Sequence, residues 1–378
     1  MQTATAATIY EQLGITPVIN ARGHNTVLGG STPSPRVRQA MDDAERYYVE
    51  MKELLRRAGE SIAERLECEA AYVTPGAAAA LALGMAACIT GPDLEKMARL
   101  PNTSGMKNKV LLQTRQHYHY EHAVTIVGAQ LVEVGDAAGT TAAQLEAAIG
   151  SDVAAVFYPA HLDGQPGTVS LDEALAIAHA RKVPVLVDAA GRVFPLDLFR
   201  SFGRRGVDLV AFGAKYIGAP NSSGILAGRK ELIDAVVPQG FIGFETMANA
   251  RSFGRPLKLD RQEIIAVVIA MQEWFTMDHD QRLALQERRL STVADRLAGA
   301  PGVTLTMLRQ DGPAPRVLRI ALEPGVARHD VASLELALMA EAPAIATGKD
   351  ASAILVNVST VWEGDEEVVA DRLARLLR

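Results

Sequence analysis

A succession of short apolar segments in the middle of this 378-residue chain limits its fold more than any other feature. The strand-like segments cover residues 109–115, 130–136, 152–160, 183–191 and 207–212. Helix-like segments lie between them, for example SLDEALAIAHARK, where Ser170 is the expected N-cap. Alternating strands and helices predict an α/β fold with a mostly parallel sheet covered by helices on both faces.

Two polar residues stand at the ends of neighbouring apolar strands. Asp188 ends the strand in VPVLVDAAG, and Lys215 follows the strand 207–212 after a break at Gly213. Ligands of such sheets gather at the carboxyl ends of the strands. A lysine alone usually caps a strand and faces solvent. Together, however, the two residues are what pyridoxal 5′-phosphate requires, because the amine forms a Schiff base with the aldehyde and the carboxylate keeps the pyridine nitrogen protonated.

The segment AAYVTPGAAAALALGMAACI changes from a short strand to a helix at Gly76. The small residues Gly76, Ala77 and Ala78 leave backbone N–H groups open at the helix N-terminus, which suits a phosphate group. The alternative is a tight turn selected for packing. We predict that these three residues and Ala190 belong to the cofactor-binding set.

Histidines follow two of the predicted strands. The cluster QHYHYEHA contains His117, His119 and His122, and YPAHLDG places His161 at the next strand end. A flat side chain is expected on the outer face of the cofactor ring, and His119 is preferred to His117 for that place. His161 is expected near the phenolic oxygen of the cofactor, the alternative being a loop histidine without a catalytic role. A metal site in the cluster is the rival interpretation, but we predict none.

Two further segments contribute candidate residues. NARGHNTVLGGS contains Arg22, His24 and Thr26, which are predicted to bind a substrate carboxylate or hydroxyl, unless the segment is a surface arm. RSFGRPLKLDRQE contains Arg255, a predicted ligand for a phosphate or carboxylate.

The length permits a large domain and a smaller one. We predict an N-terminal arm and helix at 1–60, a cofactor-binding α/β domain at 61–260 and a connecting helix at 261–290. Short strands and helices then predict a small α+β domain at 291–378.

Composition excludes several classes of protein. The net charge is -6 and no basic block occurs, so no nucleic-acid partner is expected. The most apolar run, AAAALALGMAACI, is too short to cross a bilayer, so no membrane partner is expected either. Cys68 and Cys88 lack the spacing of metal ligands and fit a reduced, cytoplasmic protein.

Several segments resemble a known family in the right order between Ile19 and Ile264. They are INARGHNTVLGGS, AAYVTPGAAAAL, QLVEVG, PGTVSLDEALAIAHARKVPVLVDAA, AFGAKYIGAPNSSGILAGR and GRPLKLDRQEI. The chain resembles the fold type I (aspartate aminotransferase-like) pyridoxal-phosphate enzymes, in the group around selenocysteine synthase (L-seryl-tRNA selenium transferase). Within that group it is most similar to the D-glucosaminate-6-phosphate ammonia-lyases. The resemblance implies that Lys215 is the Schiff-base lysine, that Asp188 is the partner of the pyridine nitrogen, and that the active sites lie at a homodimer interface.

The sequence departs from that group in three places. The family core begins within the first 20 residues, without the additional N-terminal domain of the tRNA-using members. Phe212, Gly213 and Ala214 stand where relatives have a serine and glycines, and Ser359 stands near the place of an expected arginine. The first difference argues against tRNA binding. The second concerns the binding of phosphate, and the third concerns the binding of the substrate acid group.

The predicted function is a lyase that removes the α-proton of a small hydroxylated amino acid and eliminates its β-hydroxyl, giving a 2-keto acid and ammonia. Lys215 is the expected base, and His119 or His161 the expected proton donor to the leaving hydroxyl. A racemase, epimerase or aldolase is the main alternative, followed by a selenium transferase or an aminotransferase. A non-catalytic binding protein is the alternative outside the enzymes, but it would not need both Lys215 and Asp188.

Overall fold

The computed structural model describes residues 9–10, 12–246, 252–309 and 315–378. The chain divides into two compact units, one of Thr32–Thr276 and one of Met1–Ser31 with Met277–Arg378. This division differs from the predicted one, since residues 32–60 belong to the larger unit and the N-terminal residues belong with the C-terminal ones. In the described part of the chain, no helix is long and apolar enough to span a membrane.

The larger unit is built on a sheet of seven strands among the described residues. The first strand of the chain, β1 (Val18–Ala21), belongs to the smaller unit. The strands of the larger unit are β2 (Ala70–Thr74), β3 (Lys109–Gln113), β4 (Gln130–Val134), β5 (Val153–Pro159), β6 (Val185–Asp188), β7 (Leu209–Gly213) and β8 (Gly224–Gly228). Their order is β2-β8-β7-β6-β5-β3-β4, and of these seven strands β8 alone runs in the opposite direction. The prediction of a mostly parallel sheet is confirmed.

Helices connect and cover these strands. They are α1 (Pro35–Glu45), α2 (Met51–Leu66), α3 (Gly76–Thr90), α4 (Leu94–Arg99), α5 (His122–Thr125), α6 (Ala142–Ala148), α7 (Leu171–Ala180), α8 (Leu196–Arg204), α9 (Lys230–Val236), α10 (Gly243–Thr246) and α11 (Arg261–Thr276). Ser170 caps α7, since its hydroxyl accepts a hydrogen bond from the backbone N–H of Glu173. That cap agrees with the sequence-based prediction.

Helix α3 is the apolar segment that is too short to span a membrane, and it is buried along most of its length. It crosses the sheet at Gly84, where a Cβ atom would lie 3.1–3.4 Å from leucines of β6, β7 and β8. A small residue at this point therefore lets α3 pack closely on the three strands that carry the candidate site.

A buried carboxylate holds the opposite ends of the same strands together. Asp208 precedes β7 and is fully buried. It accepts hydrogen bonds from the backbone N–H of Val185 at 2.8 Å, from His179 at 2.7 Å and from Arg229 at 3.1 Å. Because Val185 starts β6 and Arg229 follows β8, this carboxylate holds one end of three neighbouring strands together. The opposite ends of these strands, which carry the candidate site, therefore keep a fixed register.

The smaller unit has its own sheet and core. Its further strands are β9 (Val303–Arg309), β10 (Pro315–Leu322), β11 (Ala344–Lys349) and β12 (Ala353–Val356), in the order β1-β11-β12-β10-β9. Its helices are α12 (His279–Leu297), α13 (Val331–Met339) and α14 (Asp365–Leu377). The N-terminal strand β1 pairs in parallel with β11, and this pairing explains why the chain start belongs to this unit.

The predicted connecting helix at 261–290 is two helices, so this prediction was wrong. Helix α11 ends at Thr276 and α12 begins at His279. The Asp278 carboxylate accepts a hydrogen bond from the backbone N–H of Gln281 at 2.9 Å and caps the second helix. An N-cap residue has an extended backbone, which ends the first helix there.

Candidate active site

Asp188 and Lys215 both lie at the carboxyl ends of neighbouring parallel strands in the larger sheet. Asp188 is the last residue of β6 and is paired with Ala211 of β7. The backbone N–H of Gly213 then donates to the carbonyl of Ala190 at 2.9 Å. Lys215 follows in a short 3-10 helix, Ala214–Ile217. The strand-end placement predicted for both residues is therefore present in the structure.

The Asp188 carboxylate is buried, with 5% of the residue exposed. Its Oδ1 atom accepts a hydrogen bond from the backbone N–H of Ala190 at 2.9 Å. Its Oδ2 atom accepts a short hydrogen bond from the hydroxyl of Tyr118. A buried carboxylate is stable only with such partners and favours a cationic one, and a protonated pyridine nitrogen is a cation of suitable shape.

Lys215 is half-buried, and burial lowers the pKa of its ammonium group. A lowered pKa makes the neutral amine easier to form, as a nucleophile or base requires. The Nζ atom lies 5.3 Å from the centre of the Tyr216 ring. That ring rests on Gly213, where a Cβ atom would come within 3.1 Å of Cε2 of Tyr216. Gly213 thus makes room for an aromatic ring beside the lysine.

The N-terminus of α3 lies close to the lysine strand because of another glycine. Gly224 of β8 pairs with Gly213 on one side and with Thr74 of β2 on the other. A Cβ atom at Gly224 would lie 2.4 Å from the carbonyl carbon of Gly76. Pro75, which precedes the helix, makes no side-chain cap. The first backbone amides of α3, at Gly76, Ala77 and Ala78, are therefore placed one strand away from Lys215 and suit a phosphate.

These features fit a flat, phosphorylated aldehyde. An amine, a buried carboxylate and an uncapped helix N-terminus lie along neighbouring strand ends, and tyrosine rings border them. Gly76 has open space at its Cβ position, where the nearest atom is the Ser222 carbonyl oxygen at 3.9 Å. The donor set and the open position at Gly76 thus agree with binding of pyridoxal 5′-phosphate.

The candidate histidines differ in their surroundings. His161 lies in a 3-10 helix after β5, with its ring 5.0 Å from the ring of Tyr118. Burial and the positive charge of Arg192 lower the pKa of His161, while the negative charge of Asp188 opposes them. His119 is exposed, whereas its neighbour Tyr118 donates a hydrogen bond to the Asp188 carboxylate. The assignment of His119 as the residue stacked on the cofactor ring stays a prediction.

His117 holds the site loop to the sheet. Its Nδ1 atom lies 2.8 Å from Glu121, and its Nε2 atom lies 3.0 Å from Glu133 of β4. Burial disfavours the charged ring, but the two carboxylates outweigh it and raise the pKa of His117. Both contacts are strongest with the protonated ring, since only then do both nitrogens donate.

Among the described residues, no three His, Cys, Asp or Glu side chains form a metal-ligand group.

A pH-dependent contribution to stability follows from this cluster. A raised pKa means that the stabilisation is fully present below the unfolded pKa and is lost as pH rises through the folded pKa. We expect His117→Gln to lower the free energy of unfolding by about 0.2–1 kcal/mol near pH 6, an amount typical of exposed ion pairs, and by less at pH 9. Urea denaturation at both pH values measures this difference. An equal deficit at both would contradict the assignment of the charge to His117.

The remaining candidates lie elsewhere. Arg255 is exposed in the larger unit, with its guanidinium carbon 4.8 Å from the centre of the Phe244 ring. Arg22, His24 and Thr26 belong to the smaller unit. There the backbone of Arg22 forms an isolated parallel β-bridge with Asn357. Asn357 lies two residues before Ser359, near the place of the expected arginine.

Sequence reasoning missed Tyr118, Tyr216 and Gly224 as site residues. Tyr216 has a usable signal, because it directly follows the candidate lysine. Tyr118 stands between His117 and His119, and the ring-stacking role was assigned to these histidines. Gly224 ends the turn-rich segment GAPNSSG, but its contact with Gly76 depends on antiparallel pairing that the sequence does not reveal.

Comparison with known proteins identifies similar chains. The sequence model of the Aminotransferase class-V family matches residues 111–363. The chain is 33% identical to the 5′-C-glycyluridine monooxygenase-decarboxylase of a Streptomyces species, over 89% of this chain and 83% of that protein. It is 30% identical to the D-glucosaminate-6-phosphate ammonia lyase of Salmonella typhimurium, over 97% of both chains. An L-seryl-tRNA(Sec) selenium transferase of Geobacter metallireducens is 26% identical, over 82% of this chain and 67% of that protein.

Solved structures are similar over the same length. A D-glucosaminate-6-phosphate ammonia-lyase structure matches with a TM-score of 0.84 and 28% identity, covering 97% of both chains. A serine palmitoyltransferase with bound pyridoxal phosphate matches with a TM-score of 0.57 and 13% identity, covering 95% of this chain and 87% of that one. The second match concerns the fold alone.

Proposed function

The chain belongs to the aminotransferase class-V family, a pyridoxal-phosphate enzyme of fold type I, and from this premise we propose that it eliminates water and then ammonia from a hydroxylated amino acid. The proposal depends chiefly on the positions of Asp188 at the end of β6 and of Lys215 just after the adjacent strand β7. It is supported by 30% identity with an ammonia lyase over 97% of the chain. When bound, the cofactor supplies an aldehyde that condenses with amines and a ring that accepts electrons from the α-carbon.

In this proposal, the protein holds the cofactor at three places. The amides of Gly76, Ala77 and Ala78 bind the phosphate, and Asp188 keeps a proton on the pyridine nitrogen. Support comes from the uncapped start of α3 and from the 5% exposure of Asp188. Ala190 orients Asp188 through its backbone N–H. Arg255 is proposed as a further anion ligand because it carries an exposed charge in the same unit.

Lys215 is the proposed base for the α-proton. Its lowered ammonium pKa favours a neutral amine at the start of the reaction. His161, beside Tyr118, is the proposed donor of a proton to the leaving hydroxyl, and His119 is the second candidate. The reaction is balanced without an oxidant: the substrate loses water, then hydrolysis consumes one water and releases a 2-keto acid and ammonia.

Arg22, with His24 and Thr26, is the proposed binder of the substrate acid group. Its support is the backbone β-bridge between Arg22 and Asn357, which brings this part of the chain beside the segment where the expected arginine is absent. A homodimer with sites at the subunit interface is a further part of the proposal, because it is expected from the resemblance to fold type I enzymes. A cytoplasmic location is also proposed, because Cys68 and Cys88 fit a reduced protein.

The test is product analysis with the reconstituted enzyme. Protein loaded with pyridoxal 5′-phosphate is incubated with D- and L-hydroxy amino acids and with D-glucosaminate 6-phosphate. The expected result is equal amounts of ammonia and 2-keto acid from at least one substrate. Racemisation, or aldol cleavage without ammonia, would overturn the proposed reaction.

A second candidate is an oxygen-dependent decarboxylation. The observation that favours it is the 33% identity with a monooxygenase-decarboxylase over 89% of the chain. Elimination releases ammonia and a 2-keto acid without consuming oxygen, whereas the second reaction consumes oxygen and releases carbon dioxide. The same incubations with an oxygen electrode and carbon dioxide detection therefore separate them. Oxygen uptake with carbon dioxide, in the absence of keto acid, would favour the second candidate.

A further inference from the structure

Tyr118 lies at the centre of the candidate site although no proposed step assigns it a role. Its hydroxyl donates to Oδ2 of Asp188 in a short hydrogen bond. Its ring packs against Phe157 of β5, with centroids 6.1 Å apart, and against His161 at 5.0 Å. We infer that Tyr118 is a positioning residue that orients the Asp188 carboxylate toward the pyridine nitrogen of the cofactor.

The hydrogen bonds of Asp188 explain how this orientation arises. An ionised carboxylate has about four lone-pair sites. The backbone N–H of Ala190 occupies one on Oδ1, and the Tyr118 hydroxyl occupies one on Oδ2. Rotation of the carboxylate would break at least one of the two bonds. The remaining lone pairs therefore point in fixed directions and are available to the protonated nitrogen.

Tyr118 is suited to this task in two respects. Burial and the negative charge of Asp188 raise the pKa of its phenol, so it stays a hydrogen-bond donor. Phe157, which supports its ring, is fully buried on a central strand. The phenol is thus held by the sheet itself. A hydrogen bond to an ionised acceptor is about twice as strong as one between neutral groups.

The inference depends on the cofactor and not on the elimination reaction, so binding measurements test it whichever reaction the enzyme catalyses. The informative variant is Tyr118→Phe, which removes only the hydroxyl. Apoprotein is titrated with pyridoxal 5′-phosphate and, separately, with an analogue in which carbon replaces the pyridine nitrogen. We expect the variant to bind the natural cofactor roughly tenfold more weakly. The analogue should bind wild type and variant equally, because it makes no bond to Asp188.

The matched control is Tyr120→Phe. Tyr120 is 66% exposed and its ring contacts Tyr118 edge-on at 5.9 Å. This change should leave both affinities as in wild type. Thermal unfolding of each variant verifies that the fold is retained. In the double variant Tyr118→Phe with Asp188→Asn, the loss should not exceed that of the Asp188 change alone, since Tyr118 acts through Asp188.

Three results would overturn the inference. Equal weakening for the cofactor and the analogue would mean that the hydroxyl has a general structural role. Unchanged affinity would mean that Ala190 alone orients the carboxylate. Tighter binding by Tyr118→Phe would mean that the phenol competes with the pyridine nitrogen for Asp188.

Discussion

Replacing Lys215 with alanine is expected to lower turnover at least about 1000-fold, the largest effect of any single change in the chain. The side chain supplies both the amine that bonds to the cofactor aldehyde and the proposed base for the α-proton. It lies directly after β7, beside the Tyr216 ring. Ammonia release and the visible absorbance retained after dialysis measure the two roles separately.

The matched control for this change is Lys230→Ala. Lys230 is an exposed lysine of the same unit, and its Nζ lies 2.7 Å from Asp234 on the next turn of α9. Its loss should leave turnover and absorbance near the wild-type values. Wild-type turnover by Lys215→Ala would remove the basis for the whole proposed function.

Replacing Asp188 with asparagine is expected to lower turnover by about 100- to 1000-fold and to weaken cofactor binding. The amide preserves the shape of the side chain but lacks the negative charge that keeps the pyridine nitrogen protonated. Asparagine keeps an oxygen that can accept the hydrogen bond from the backbone N–H of Ala190, so the loss of stability should be limited. Turnover at saturating cofactor and thermal unfolding of the apoprotein distinguish the chemical effect from a folding defect.

Asp172→Asn is the control for this second change. Asp172 lies in the first turn of α7 and pairs with Arg205 at 2.6 Å on the surface. The same loss of charge there should change turnover less than twofold. If Asp188→Asn retained wild-type turnover, another group would have to hold the proton on the pyridine nitrogen.

The parallel strands could be predicted because they are buried on both faces and appear as continuous apolar runs. Strand β5, for example, is buried at every position. The break between α11 and α12 could not be predicted with the same ease, since no glycine or proline stands near Asp278 to mark a helix end. The pairing of β11 with β1 could not be predicted either, because it joins segments from opposite ends of the chain.

The site was predictable where a residue type and a strand end coincide. Asp188 and Lys215 satisfy that condition, and the start of α3 is visible as a run of small residues. Tyr118 could not be assigned in this way, because its contact with Asp188 depends on the path of the loop after β3. That loop is held by His117 through two glutamates, one of them on β4, and no local pattern specifies such a contact.

The contact between Gly224 and Gly76 has a consequence for how this enzyme can diversify. One strand, β8, separates the lysine strand from the helix proposed to bind the phosphate, and it has no side chain at the point of contact. In the proposed binding mode, backbone dimensions therefore set the spacing between Lys215 and the phosphate site. Substitutions in the surrounding loops can therefore change which substrate binds without changing the spacing of the proposed cofactor-binding groups.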